Sequence, residues 1–273
     1  MGLRINNNIA AFNAYRNLQA TDKAQSSSLE KLSSGLRINK AADDAAGLSV
    51  SEGLRSQIGG LKVAVRNAQD GVNVVQTADG ALTETHSILQ RMRDLAVQAA
   101  NSGSQSTDAV KASSAEYDEL VKEIDDIANK TSFNGTKLLD GTFDAKNFQV
   151  GSQTADTLTV SIGTMTATGL SLSAGQIDDS TKANTQIDEL DKAITAVSTE
   201  RSKLGATQNR FEHKINNINV TVENLTASES AIRDTDMAAE MTKFTRSQIL
   251  SQAGTAMLAQ ANQSQQGVLS LLR

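Results

Sequence analysis

An apolar residue recurs every seven positions between residues 54 and 96, and this repeat restricts the possible folds more than any other feature of the sequence. Its members are Leu54, Leu61, Ala68, Val75, Leu82, Leu89 and Ala96, and Ile58, Val65 and Val72 occupy the intervening positions of the first three heptads. Such spacing keeps one apolar stripe on one side of an α-helix and is typical of coiled coils. The sequence therefore predicts one long helix in this region.

A second apolar run alternates spacings of three and four residues from Ile187 to Leu225. Ten of its twelve positions are apolar, and the exceptions are Arg201 and Gln208. At 1.5 Å per residue each run is about 60 Å long as a helix, whereas a compact globule of this chain length has a radius of gyration of about 18 Å. We therefore expect a mainly α fold, an elongated rod of long coiled-coil helices.

The composition also favours long, unbroken helices. None of the 273 residues is proline, the residue that kinks or ends helices. Six glycines, at positions 47, 53, 59, 60, 71 and 80, each weaken an interior helix by up to about 1 kcal/mol. We interpret them as sites where another helix approaches closely. A shorter apolar stripe from Tyr117 to Ile127 predicts a third helix.

A segment of different character lies between the two helical runs, at about residues 131–180. Asn134-Gly135 and Asp140-Gly141 are turn dipeptides. Leu158, Val160 and Ile162 alternate with polar residues, as in a strand with one buried face. The sequence predicts a small β-hairpin region here that covers one side of the helices.

Residues that carry chemistry are few. The chain has no cysteine, and its two histidines, His86 and His213, lie on the predicted long helices, where we interpret them as solvated or interhelical imidazoles. The HExxH, P-loop, GxSxG and EF-hand motifs do not occur. A net charge of −5 without a basic stripe disfavours binding to nucleic acids. We expect no enzymatic activity, no cofactor and no metal.

The two chain ends differ from the acidic middle. Residues 1–42 carry a net charge of +4 and residues 232–273 carry +1, so the remainder carries −10. Narrow helical stripes of apolar residues mark both ends: Ile5, Ile9, Phe12, Leu29, Leu32 and Leu36, and then Leu250, Ala253, Met257, Val268, Leu269 and Leu272. Neither end buries enough surface alone to offset its ordering entropy, so we expect both to order on association.

The stretch from Ser247 to Leu272 has no charged residue and is long enough to span a bilayer. It contains seven glutamine and asparagine residues. Each of these would have to bury an amide in lipid at a high free-energy cost. We therefore expect no membrane insertion.

Four segments resemble motifs of the bacterial flagellins and occur in the order found in that family. They are SSGLRINKAADDAAGLSVSEGLRSQIGGL from Ser33, QRMRDLAVQAANS from Gln90, TSFNGTKLL from Thr131 and LAQANQSQQGVLSLLR from Leu258. The resemblance covers essentially the whole chain. Two differences stand out: little sequence separates the helical halves, which implies that the outer variable domains are missing, and Gln265 stands where many relatives carry proline.

The resemblance implies a domain organisation and a function. Flagellins form an inner coiled coil from their two ends, here residues 1–42 with 232–273, and a helical rod domain from the middle, here residues 43–231 with the β region. Their subunits polymerise into the bacterial flagellar filament, whose core the terminal helices line. The twelve apolar residues of the terminal stripes are therefore the implied core-assembly residues.

The resemblance also implies partners and a location. Flagellins leave the cell unfolded through the flagellar export apparatus, a chaperone shields their carboxyl end, and hook-associated and cap proteins contact the extracellular filament. The segment recognised by the animal Toll-like receptor for flagellin corresponds to Arg91, Leu95 and Glu116.

Two other functions stay open at this point, a hook-filament junction protein and another secreted coiled-coil protein of an export system. The match from Gln90 to Asn101 favours a filament subunit over a junction protein.

Overall fold

The computed structural model describes residues 8–101, 103 and 105–271, and for residues 265–271 it describes the backbone only. The helices in this part of the chain are α1 (Ile9–Ser34), α2 (Ala45–Ala100), α3 (Thr107–Lys130), α4 (Ser180–Arg233) and α5 (Met237–Leu271). Between α3 and α4 lie the strands β1 (Ser132–Phe133), β2 (Thr136–Lys137), β3 (Lys146–Gln149) and β4 (Thr157–Val160). The mainly α fold with a small β-hairpin region is confirmed.

Each apolar run of the sequence lies within one helix. The heptad repeat lies in α2, the run from Ile187 lies in α4, and the stripe from Tyr117 lies in α3. α2 has 56 residues and α4 has 54, several times the length of an average helix in globular proteins. The absence of proline permits this length, because no position lacks the backbone N–H that an interior turn requires.

The chain divides into two compact units. The second unit comprises Gln57–Glu223, and the first contains the residues on either side of it, so the boundaries fall within α2 and α4. The domain boundaries at residues 42 and 232 stay a prediction.

In the first unit, α1 and α5 pack along a seam of mostly small and polar residues. The more buried residues of both helices alternate spacings of three and four, which is coiled-coil spacing. On α1 they are Ala11, Ala14, Leu18, Thr21, Gln25, Ser28 and Leu32. On α5 they are Glu240, Phe244, Ser247, Ser251, Gly254, Leu258 and Ala261.

The seam combines close approach with hydrogen bonds. A Cβ added to Gly254 would lie 3.2 Å from Cδ1 of Leu18. The Ser28 hydroxyl donates to Oε1 of Glu240 at 2.7 Å, and Nζ of Lys243 donates to Oε2 of the same carboxylate at 2.8 Å. Only 5% of Glu240 is exposed. The bonds from Lys243 and Ser28 favour the charged form, so they lower the pKa of the Glu240 carboxyl.

The helix α1 ends at Ser34 because Gly35 adopts a left-handed conformation with φ 73°. Leu36 then forms an isolated antiparallel bridge with Asp234, in the link between α4 and α5. The guanidinium of Arg37 donates to the carbonyl of Ile232 at 2.6 Å beside this bridge. The interpretation of Leu36 as a continuation of the helical stripe is therefore wrong.

The second unit has a conventional apolar core. α2 and α4 are antiparallel in it, since Arg93 pairs with Asp191 at 2.7 Å and Arg201 pairs with Asp79 at 2.9 Å. The largest fully buried side chains include those of Tyr117, Phe211, Leu82, Leu89, Met92 and Leu190. The ring of Phe211 meets that of Phe148 in β3 edge to face, with centroids 5.4 Å apart, and so connects the β region to α4.

The β region consists of two antiparallel hairpins and a loop held against α3. Asn134 and Gly135 both have positive φ, at 49° and 79°, and form the two-residue turn between β1 and β2 that this dipeptide predicts. The β3 and β4 strands pair from Lys146↔Val160 to Gln149↔Thr157. Carboxylates of α3 accept hydrogen bonds from the backbone of the following loop, Asp125 from Ala167 at 2.7 Å and Asp118 from Gly175 at 2.8 Å.

The interpretation of the α2-region glycines as close-approach sites is correct only in part. A Cβ on Gly71 would lie 2.5 Å from Cζ of Phe211 in α4, which is the predicted approach of a second helix. A Cβ on Gly47 would lie 2.7 Å from Cδ1 of Ile38, but Ile38 belongs to the link between α1 and α2, so no second helix approaches there. At the other extreme, three glycines have no other group within 4 Å of such a Cβ, and the interpretation is wrong for them: Gly53, Gly59 and Gly80.

We predict opposite effects for two glycine-to-alanine substitutions in α2. Gly71→Ala forces a methyl group into the buried ring of Phe211 and should lower the free energy of unfolding by about 1–3 kcal/mol. The methyl group of Gly80→Ala would point into open space, and alanine favours the helix more than glycine does. This substitution should therefore raise the free energy of unfolding by up to about 1 kcal/mol. Urea denaturation followed by circular dichroism measures both, and equal effects would contradict the packing of Phe211 on Gly71.

We also predict that acid weakens the α1–α5 pairing through Glu240. Because the folded-state pKa lies below the ordinary value of 4.5, this carboxylate stabilises the fold above pH 4.5, and its contribution is lost as the pH falls through the folded value. Glu240→Gln should reduce stability at pH 7 by about 1 kcal/mol and flatten its acid dependence. Amide exchange in α5 between pH 3 and 7 measures this. Glu84→Gln removes an exposed charge elsewhere and should leave the acid dependence unchanged.

Candidate functional site

The α1–α5 seam leaves large apolar side chains on the outer surfaces of both helices. Of the thirteen large apolar side chains exposed in the described part of the chain, nine lie on α1 and α5. We call them the outer apolar face: Ile9, Phe12, Tyr15, Leu29, Met237, Met241, Ile249, Leu250 and Met257. Their exposed fractions lie between 47% and 64%. Apolar exposure concentrated in this way marks a surface that other molecules cover.

Shallow grooves run along this face. On α5, Met241, Thr245, Ile249 and Leu250 line a groove of about 490 Å³ that Arg246 also borders. On α1, Phe12 and Tyr15 line one of about 200 Å³ together with Leu258 of α5. The grooves are mostly apolar and open, so they suit the ridges of a packed helix better than a small polar substrate.

The positions of the predicted core-assembly residues differ. Five belong to the outer apolar face, namely Ile9, Phe12, Leu29, Leu250 and Met257, and Ala253 is also exposed. Leu32 is half-buried in the seam, and Leu36 lies in the bridge to Asp234. Ile5 and Leu272 lie outside the described residues, as do the side chains of Val268 and Leu269. Their role in assembly stays a prediction.

Sequence reasoning missed four of the nine residues of this face, and they are Tyr15, Met237, Met241 and Ile249. Tyr15 follows Phe12 at a spacing of three, and Ile249 follows Met241 at a spacing of eight, which is close to two helical turns. This signal was available in the sequence. The sequence does not show that small or polar residues occupy most positions of the seam, and this arrangement leaves nine large apolar side chains on the outside.

The three residues matched to the receptor segment are not equally accessible. Nε of Arg91 donates to Oε1 of Glu116 at 2.8 Å, Nη2 lies 2.7 Å from the same oxygen, and both side chains are exposed. Leu95 is only 2% exposed and belongs to the core of the second unit. Arg91 and Glu116 thus form an ion pair on the surface, whereas Leu95 is buried under that surface and packs in the core.

Neither a metal centre nor a membrane span is found in the part of the chain that the structure describes. No group of three or more histidine, cysteine, aspartate or glutamate residues there could hold a metal ion. No helix within the same residues combines the length and the apolar character needed to cross a bilayer.

Comparison with known proteins matches both helical parts of the chain to one family. Residues 5–144 match the family described as the bacterial flagellin N-terminal helical region, and residues 187–272 match the bacterial flagellin C-terminal helical region. A flagellin of Halalkalibacterium halodurans is 51% identical over 271 residues, which cover 98% of this chain and 99% of that protein.

Two further relatives agree with this result. A flagellin of Bacillus subtilis is 48% identical over 305 residues, covering 99% of this chain and all of that protein. The crystal structure of Bacillus cereus flagellin is similar with a TM-score of 0.51 and 37% identity, over 56% of this chain and 88% of that one. These matches confirm the resemblance that the four motifs indicated, and they show that the chain belongs to the bacterial flagellin family.

Proposed function

We propose that this chain is a structural subunit that assembles with copies of itself into the extracellular filament of the bacterial flagellum, for swimming motility. One observation carries the proposal, the outer apolar face of α1 and α5 that a single copy leaves uncovered. Full burial of a large apolar side chain is favourable by about 1.5–3 kcal/mol. Nine such side chains on two paired helices therefore favour association with further copies.

The seam alone gives the terminal helices little stability. Most of its residues are small or polar, so pairing α1 with α5 buries little apolar surface against the backbone entropy that two ordered helices lose. We therefore propose that both chain ends gain most of their order on assembly, when neighbouring copies cover Phe12, Leu250 and Met257.

The lack of charge in the part of α5 from Ser247 onward suits a crowded filament core. From Ser247 to the end of α5 there is no charged residue. Like charges repeated in every copy would repel one another at short distance in a dry environment, whereas glutamine, serine and alanine can pack and form hydrogen bonds. Repeated heterologous contacts that do not close into a ring make a helical fibre.

Export as an unfolded chain fits the same sequence. The chain has neither proline nor cysteine, so refolding outside the cell involves no slow prolyl isomerisation and no disulfide rearrangement. We propose export through the flagellar apparatus with a chaperone that covers the apolar groove of α5, followed by contact with hook-associated and cap proteins at the filament ends.

We further propose that the animal Toll-like receptor for flagellin recognises the monomer at the surface formed by Arg91 and Glu116. Their ion pair is exposed on α2 and α3, so both side chains are available to a partner. Leu95 contributes from below by holding α2 in place.

The first test concerns the outer apolar face. Leu250→Asp should abolish or strongly slow filament growth on added seeds, since a carboxylate would be buried among apolar side chains in every copy. Leu250→Met keeps the volume and the apolar character, and should polymerise like the parent chain. Electron microscopy and sedimentation measure both, and circular dichroism checks that the monomers are equally helical. Normal filaments from Leu250→Asp would refute the role of this face.

The second test concerns receptor recognition. Arg91→Ala should reduce activation of receptor-bearing cells by at least about tenfold, the effect expected when a central arginine is lost from an interface. Monomer stability should hardly change, because an exposed ion pair contributes at most about 1 kcal/mol. Arg93→Ala removes the similarly exposed pair with Asp191 and serves as the control, which should keep full activation. Equal activation by both variants would contradict this site.

A further inference from the structure

Charge is unevenly distributed along the second unit. Since α2 and α4 are antiparallel there, residues 57–78 lie beside residues 202–223, and residues 79–100 lie beside residues 180–201 and α3. We call the first set the basic half, because it has five basic side chains and three carboxylates. The second set is the acidic half, with fourteen carboxylates and eight basic side chains.

Ion pairing within the chain neutralises the two halves differently. In the acidic half, six of the eight basic side chains are paired with carboxylates within 4.0 Å: Arg91, Arg93, Lys122, Lys130, Lys192 and Arg201. In the basic half only Lys203 is paired. Its other basic side chains form no ion pair with any described residue, and they are Lys62, Arg66, Arg210 and Lys214.

Two of these unpaired cations line a groove of about 600 Å³ between α4 and the β3–β4 hairpin. Arg210 and Lys214 lie one helical turn apart, with His213 beside them and Leu158 of β4 in the opposite wall. The groove contains one carboxylate, that of Asp156, which accepts a hydrogen bond from the backbone N–H of Gln153 at 3.2 Å. The groove is thus open and carries an excess of positive charge.

The acidic half has an excess of unpaired negative charge. Five of its carboxylates are exposed and form neither an ion pair nor a hydrogen bond with the described residues, namely Glu84, Asp94, Asp108, Glu123 and Asp188. Asp94 follows Arg93 on α2, and Asp188 lies about one turn before Asp191 on α4, so both exposed carboxylates are near the pair formed by Arg93 with Asp191. They offer two carboxylates at the end of the unit opposite the groove.

We propose that the groove at Arg210 and Lys214 of one copy receives Asp94 and Asp188 of the next copy, so that second units stack head to tail. The proposal rests on the proposed filament function and specifies one of its contacts. The two surfaces differ, so the contact is heterologous and each copy leaves one of them free for the next. Opposite charge also speeds the docking of an arriving copy and disfavours the reversed orientation.

A charge-swap experiment tests the contact. Arg210→Glu with Lys214→Glu reverses the groove, and Asp94→Lys with Asp188→Lys reverses the opposite end. Each double variant should elongate seeded filaments at least about tenfold more slowly than the parent chain, because like charges would face each other at every contact. The chain with all four changes restores opposite charges and should recover most of the rate.

The control is Lys111→Glu with Lys182→Glu, which changes the net charge by the same amount as the groove variant and replaces the unpaired basic residues of the acidic half. It should elongate like the parent chain.

The possible outcomes separate this inference from the proposed function. The stacking contact is refuted if the groove variant elongates as fast as the control, or if the fourfold variant stays as slow as the double variants. In either case, filament formation by the parent chain would still support the proposed function. Failure of the parent chain to form filaments on seeds would refute the proposed function itself.

Discussion

The small residues in the seam between α1 and α5 allow the two terminal helices to approach closely, and the remaining features of the first unit depend on this contact. Gly254 lies against Leu18, and Ser28 bonds Glu240. Because short side chains occupy most of the inner positions of both helices, nine large apolar residues lie on the outside. A single copy therefore leaves an apolar surface uncovered on this helix pair, and in the proposed filament neighbouring copies cover that surface.

In the second unit the large side chains are arranged in the opposite way. Its large side chains face inward, where Phe211 packs on Gly71 and Tyr117 is fully buried, so this unit has a core that needs no partner. Its surface carries mainly charged and polar residues, whose ion pairs are exposed and contribute little to stability. In the proposed stacking contact, these charges select which surface of a neighbouring copy is favoured. The chain thus combines a body with its own apolar core and terminal helices whose large apolar side chains stay uncovered in a single copy.

Several elements could be predicted from the sequence because each depends on local or periodic information. The heptads of α2 and α4 predict long helices, and Asn134-Gly135 predicts the tight turn of the first hairpin. Other predictions failed because they depended on a distant neighbour or on one backbone conformation. Gly71 and Gly80 look alike in the sequence, and only the position of Phe211 separates them. The left-handed φ of Gly35 ended α1 before Leu36.

By itself, the sequence determined that the chain is mainly helical, that its helices are long, that its family is the flagellins and that its ends carry apolar residues. The tertiary structure decided which side of each terminal helix is covered, which residues form the seam, and which charges stay unpaired. The physical reason is that periodicity identifies an apolar stripe but not its partner. In α1 and α5, close packing favours the small residues inside, so Phe12 and Leu250 stay exposed although they are among the most apolar side chains of their helices.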